Sequence, residues 1–145
     1  MTKRILISFL VFLAFSCSKI EESNIPYANV YFRLDLRYQD KDLIALLAHK
    51  EYTTPRNAGE AMGFSGVVVI HGYDEAYYAY DLCCPYEAEQ STKIVPTNAG
   101  TAKCPKCGTV YDLSYGAGNP MEGPSKFALR RYTVYPNGQE LIVRN

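Results

Sequence analysis

The chain has 145 residues, and its 15 lysines and arginines balance 15 aspartates and glutamates. An even charge lacks the basic footprint of a nucleic-acid binder. Once the N-terminal segment described next is set aside, the length suits one domain with its own core and not two.

The chain opens with Lys3-Arg4, an apolar run over positions 5–15, and Ser16-Cys17. A run of eleven residues is too short to cross a bilayer. A basic start, a short apolar stretch and a small residue at the cut are the marks of a secretory signal, here 1–16. Leu13-Ala14-Phe15-Ser16-Cys17 resembles the cleavage box of bacterial lipoproteins, which implies lipidation of Cys17, a membrane anchor and a place in the cell envelope, on the outer membrane. Cleavage removes two basic residues and no acid, so 13 basic and 15 acidic residues remain, a net charge of −2. Positions 17–26 are polar, include Glu21-Glu22 and read as a tether to a single domain over 27–145.

The domain reads as strand after strand, broken by glycine, proline or asparagine. Val30, Phe32, Leu34 and Leu36 alternate with Tyr31, Arg33, Asp35 and Arg37, the period-two pattern of a half-buried strand. Positions 42–47 allow one helical turn, while the rest of 38–64, with Pro55, Gly59 and Gly63, reads mostly as loop. Positions 67–70 form a continuous apolar run suited to a buried strand, Gly72-Tyr73-Asp74-Glu75 turns the chain, and a strand over 76–81 delivers it to Cys83. Tyr77, Tyr78 and Tyr80 on that strand are expected in a half-buried core rather than on a docking face. A strand over 110–113 precedes a closing hairpin, 129–135 and 140–143, turned by Pro136-Asn137-Gly138-Gln139. Thirteen tyrosines and no tryptophan suit a small β domain whose rings fill the core while their hydroxyls reach its surface.

Four of the five cysteines fall in two loops, at 83–87 and 104–108, with nineteen residues between Cys84 and Cys104. The first reads Cys83-Cys84-Pro85-Tyr86 and the second Cys104-Pro105-Lys106-Cys107-Gly108. A Cys-x-x-Cys unit on a turn aims two sulfurs at one point, and a second cysteine pair opposite it completes the four-ligand shell that zinc or iron takes.

The order strand, Cys-x-Tyr loop, Cys-Pro-x-Cys-Gly loop, strand, glycine-proline turn and closing hairpin resembles the Rieske domain. Gly108-Thr109-Val110-Tyr111-Asp112-Leu113, Gly116, Gly123-Pro124-Ser125 and Leu129-Arg130-Arg131-Tyr132-Thr133-Val134 extend the likeness to the C-terminus. The resemblance implies an all-β fold, a small antiparallel sandwich or barrel with a cysteine-loop subdomain, and a 2Fe-2S cluster for electron transfer to a redox partner. It also implies roles: Cys84 and Cys104 match the two cysteines on one iron, and Tyr86 and Cys107 stand where the family has the histidines of the other. Both histidines of the chain, His49 and His71, lie outside these loops. A phenol must lose a proton of reference pKa about 10 to bind iron, so Cys83 makes a better fourth ligand than Tyr86.

Three occupants remain open. A 2Fe-2S cluster on Cys83 or Tyr86, Cys84, Cys104 and Cys107 gives an electron carrier, with thiolates lowering its potential relative to a Rieske centre. One zinc on four thiolates gives a closed structural site. Disulfides between the loops, suited to an oxidising envelope, give no metal site. A secretory leader without twin arginines exports an unfolded chain, which weighs against a cluster assembled before export. A thioredoxin-type thiol is disfavoured, because Gly108 and a strand follow the Cys-x-x-Cys instead of a helix. No nucleophile elbow, phosphate-binding glycine loop or histidine beside a serine or cysteine argues for an enzyme. Asp81 and Asp112 are expected to accept hydrogen bonds beside the loops.

Overall fold

The computed structural model describes residues 19–145, so the signal 1–16 and Cys17 lie outside the described residues. Eleven strands follow in order: β1 Val30–Asp35, β2 His49–Tyr52, β3 Ala61–Met62, β4 Val67–His71, β5 Tyr77–Asp81, β6 Val95–Pro96, β7 Thr101–Lys103, β8 Val110–Asp112, β9 Pro120–Glu122, β10 Arg131–Asn137 and β11 Glu140–Arg144. The helical turn expected near 42–47 is a 3-10 turn at Lys41–Ile44. Among the described residues no helix is long and apolar enough to cross a membrane.

Seven strands form one antiparallel sheet in the order β2-β4-β5-β10-β11-β1-β3, and four form a second in the order β6-β7-β8-β9. In β1 the alternation seen in the sequence holds: Phe32 faces Val143 and Leu34 faces Leu141 across the β1–β11 pair, and all four are buried. The closing hairpin turns tightly, with Asn137 opposite Glu140 and Gly138 at φ 64°, a left-handed conformation that glycine takes without penalty.

β4 explains why its sequence carries no alternation. Val67 and Val69 pack into one core with Phe32, Leu34 and Tyr132, while Val68 and Ile70 pack into another with Tyr80, Tyr111 and Leu113. A strand apolar on both faces is a wall between two layers. Its partner β5 does the same, sending Ala79 to the first core and Tyr78 and Tyr80 to the second, so the tyrosine segment is core. The second core includes Cys84 and Cys104 and lies between this wall and the smaller sheet.

Two segments depart from the expectations. The stretch read as loop over 38–64 contributes β2 and β3, both at the ends of the large sheet. β2 reads His-Lys-Glu-Tyr with only Tyr52 buried, since an end strand is covered on one side only. The expected tether is docked over its described part. Glu21 exchanges backbone hydrogen bonds with Lys126 and Ala128, and Ile25, buried to 1% exposure, gives its carbonyl to the Arg130 guanidinium. Burial of Ile25 and these hydrogen bonds together hold the segment down.

Candidate metal centre

Each cysteine loop leaves one strand region and is closed by its own backbone. In the first, Cys84 N–H donates to Thr92 O at 3.0 Å and Ala88 N–H to Cys84 O at 2.9 Å. In the second, Cys104 N–H donates to Thr109 O at 2.9 Å and Gly108 N–H to Cys104 O at 3.0 Å. β7 and β8, paired Lys103 to Val110, bring the two ends of the second loop together. An isolated bridge between Cys83 and Lys93 does the same for the first.

The loops place Cys84, Cys104 and Cys107 together, with their three sulfurs all within 4.8 Å of one another. Cys84 Sγ and Cys107 Sγ are 3.7 Å apart. All four cysteines of the loops are free thiols. Cys84 and Cys104 are fully buried, and Cys107 is partly open to solvent.

The neighbours of the sulfurs set their protonation. Burial pushes the Cys84 thiol up to about 12, against hydrogen bonds from the Glu87 backbone and the Tyr111 hydroxyl. Cys107 moves the other way. Burial works to raise it, but hydrogen bonds with the Thr109 hydroxyl, 3.2 Å from the sulfur, and with the Thr109 backbone hold it below the ordinary thiol range. Thr109 and Tyr111 follow the second loop in the strand direction, and the sequence gives no signal for their roles beyond adjacency.

Cys83 and Tyr86 do not join the group. Neighbouring residues on an extended chain face opposite sides, and the Cys83 thiol turns away to Glu89 O at 3.3 Å. Burial raises it to about 11. Tyr86 is 49% exposed. The expectation that Cys83 completes the shell is therefore replaced by a three-sulfur group. Neither histidine is near it: His71 stacks on Tyr77 and its Nδ1 lies 3.0 Å from Ile44 O.

Asp81 braces the first loop, as expected. Its carboxylate is buried and accepts from the N–H groups of Phe64 at 2.8 Å and Cys83 at 2.9 Å, and from the Tyr132 hydroxyl at 2.7 Å. Asp112 is a turn acceptor, taking the Ser114 N–H at 3.2 Å and the Ser114 hydroxyl at 2.7 Å. At the outer edge Lys106 of the second loop reaches across to the first, 2.9 Å from both Glu87 and Glu89.

Three thiols converging on a point suit one tetrahedral metal. With metal–sulfur bonds of about 2.3 Å the edge of the tetrahedron is about 3.8 Å, close to the 3.7 Å between Cys84 and Cys107. A 2Fe-2S cluster fits less well. Its ligands divide between two irons and stand apart across the cluster, whereas Cys107, at the position of the second iron's ligand, lies against Cys84. The other such position holds a half-exposed phenol.

No family model and no curated protein matches this chain. Solved structures do. A chain in the complex of reduced oxygenase and oxidized ferredoxin of carbazole 1,9a-dioxygenase aligns with 81% of this chain and 94% of its own, at TM-score 0.51 and 15% identity. The quaternary ammonium Rieske monooxygenase CntA aligns with 80% of this chain and 31% of its own, at TM-score 0.53 and 14% identity. A ferredoxin of carbazole 1,9a-dioxygenase from Nocardioides aromaticivorans IC177 aligns with 81% of this chain and 95% of its own, at TM-score 0.48 and 20% identity. At such identities the likeness speaks for architecture and not for chemistry. The chain thus has a Rieske-type fold, all-β and antiparallel, with a three-cysteine group at the tips of its two loops.

Proposed function

We propose that this chain is a lipid-anchored protein of the cell envelope whose Rieske-fold domain holds a single metal ion, zinc, on Cys84, Cys104 and Cys107. The observation that carries this reading is the 3.7 Å separation of the Cys84 and Cys107 sulfurs, the edge length of one metal's tetrahedron. Zinc has no redox chemistry, so in this reading the metal stabilises the two loops and the domain serves binding or structure. An exported, unfolded chain can take up zinc after folding, which agrees with a general secretory leader.

The fold likeness favours a second reading. A 2Fe-2S cluster on these loops would make the domain an electron carrier for a redox partner in the envelope, with solvent exposure and hydrogen bonds to sulfur setting its potential.

Metal, acid-labile sulfide and free thiols counted per chain in protein purified without reductant separate these readings. One zinc and no sulfide supports the first; two irons with two sulfides supports the second. Two irons with two sulfides, or no metal with all four loop thiols oxidised, would overturn the single-ion site.

A further inference from the structure

We propose that Glu87 is the fourth protein ligand of this centre, giving a site of three thiolates and one carboxylate. The inference rests on the single-ion reading and names the position that reading leaves open.

The argument starts from a repeat in the two loops. Cys84-Pro85-Tyr86-Glu87-Ala88 and Cys104-Pro105-Lys106-Cys107-Gly108 share Cys-Pro at the same two positions, and Glu87 stands where the second loop has Cys107. The backbones repeat as well. The residue four places after each first cysteine donates to that cysteine's carbonyl, at 2.9 Å from Ala88 and 3.0 Å from Gly108. Both of these residues are left-handed, Ala88 at φ 51° and Gly108 at φ 77°. For alanine that conformation costs about 1 kcal/mol, so the first loop is held in the shape that glycine gives the second. The third position after the first cysteine is the one whose side chain the second loop delivers to the metal group, and the first loop puts a carboxylate there.

The placement of Glu87 agrees. Tyr86 and Ala88 on either side are exposed, yet the Glu87 side chain is only 14% exposed and lies at the junction of the loops, 2.9 Å from Lys106 Nζ. A glutamate is seldom buried without a partner, and this one is largely covered where the two loops meet. Lys106 holds it, outside the three-sulfur group. Release leaves no cation stranded, because Lys106 is 52% exposed and keeps Glu89 at 2.9 Å. Carboxylate oxygen is an ordinary zinc ligand at about 2.0–2.2 Å. Three thiolates and a carboxylate around a divalent ion carry net charge −2, and Lys106 at the rim offsets part of it. The other candidates face elsewhere: the Cys83 thiol binds Glu89 O, and Tyr86 points to solvent.

The test compares the full chain with its Glu87→Gln, Glu87→Cys and Cys83→Ser variants. Zinc affinity is read by competition with a chelating indicator, and the ligand set from the visible bands of the cobalt(II)-substituted protein. Glu87→Gln should weaken zinc binding by about tenfold or more and shift the cobalt bands. Glu87→Cys should bind more tightly and gain sulfur-to-cobalt charge-transfer absorption, while Cys83→Ser should match the parent in both readouts. A Glu87→Gln protein with unchanged affinity and spectrum, or loss confined to Cys83→Ser, overturns the assignment while leaving the single-ion reading intact. A parent chain that binds neither zinc nor cobalt overturns both.

Discussion

The Tyr111 hydroxyl lies 3.6 Å from the Cys84 sulfur, and the ring is fully buried in the second core. This is the one side-chain hydroxyl of the core within reach of that sulfur among the described contacts. A hydrogen bond to a charged group contributes about 1.5–3 kcal/mol, so Tyr111→Phe should weaken zinc binding by at least about tenfold. The metal-free fold should lose about 1 kcal/mol, because Ser125 also bonds the hydroxyl while the neutral thiol is a weak partner. Chelator competition and urea unfolding of the metal-free protein check the two halves.

Asp81 ties the first cysteine loop to the large sheet. It accepts from Cys83 N–H on the loop, Phe64 N–H ahead of β4 and the Tyr132 hydroxyl on β10. Asp81→Ala strands these buried donors and should destabilise the fold by about 3 kcal/mol or more. The urea midpoint measures it, and a shift under about 1 kcal/mol would show that water replaces the carboxylate.

Gly63 lies against the same group. It has φ 70°, and a Cβ there would come within 2.7 Å of the Tyr132 hydroxyl and 2.8 Å of the Asp81 carboxylate. Gly63→Ala should cost about 2 kcal/mol from the backbone conformation and the crowding together. Combined with Asp81→Ala it should cost less than the sum, since the carboxylate it crowds is gone.

Asp40 predicts an acid limb. Its side chain is fully buried and meets Lys50 Nζ at 3.0 Å, Arg56 Nη1 at 3.1 Å and the Tyr52 hydroxyl at 2.8 Å. Burial works to raise its pKa, but these partners and the Asp35 N–H hold it below the ordinary carboxylate value. A lowered folded-state pKa contributes stability that is present above the unfolded value, about 3.9, and is lost as pH falls through the folded one. Asp40→Asn should destabilise the protein by about 3–5 kcal/mol near neutrality. The gap to the parent should narrow below pH ~4 in urea midpoints taken across pH; a gap constant with pH would assign the loss to packing alone.

The lipid anchor has its own test. Labelled fatty acid should enter the chain in cells and be lost with Cys17→Ser, which should also release the protein from the membrane fraction. Label retained by that variant would place the lipid elsewhere.

Much of this fold is legible in the sequence. β1 and the β10–β11 hairpin announce themselves by alternation and by Asn137-Gly138, and the unbroken run in β4 reads as buried because both its faces are. What did not show were elements defined by pairing rather than by side chains. β3 and β6 are two residues long, and β2 carries three half-covered or exposed polar residues, so no period can emerge from them. The two loops are visible as metal-binding sequence, which offers Cys83 or Tyr86 for the fourth position. Adjacency suggested Cys83, whose direction along an extended chain sends it away from Cys84. Aligning the loops on their shared Cys-Pro would have pointed to Glu87 instead.

X-ray absorption at the metal edge of the protein as purified tests the central claim most directly. A single ion on Cys84, Cys104 and Cys107 predicts one first shell dominated by about three sulfurs at about 2.3 Å, with no neighbouring metal. A second metal atom just beyond that shell would contradict the account and place a two-iron cluster in these loops.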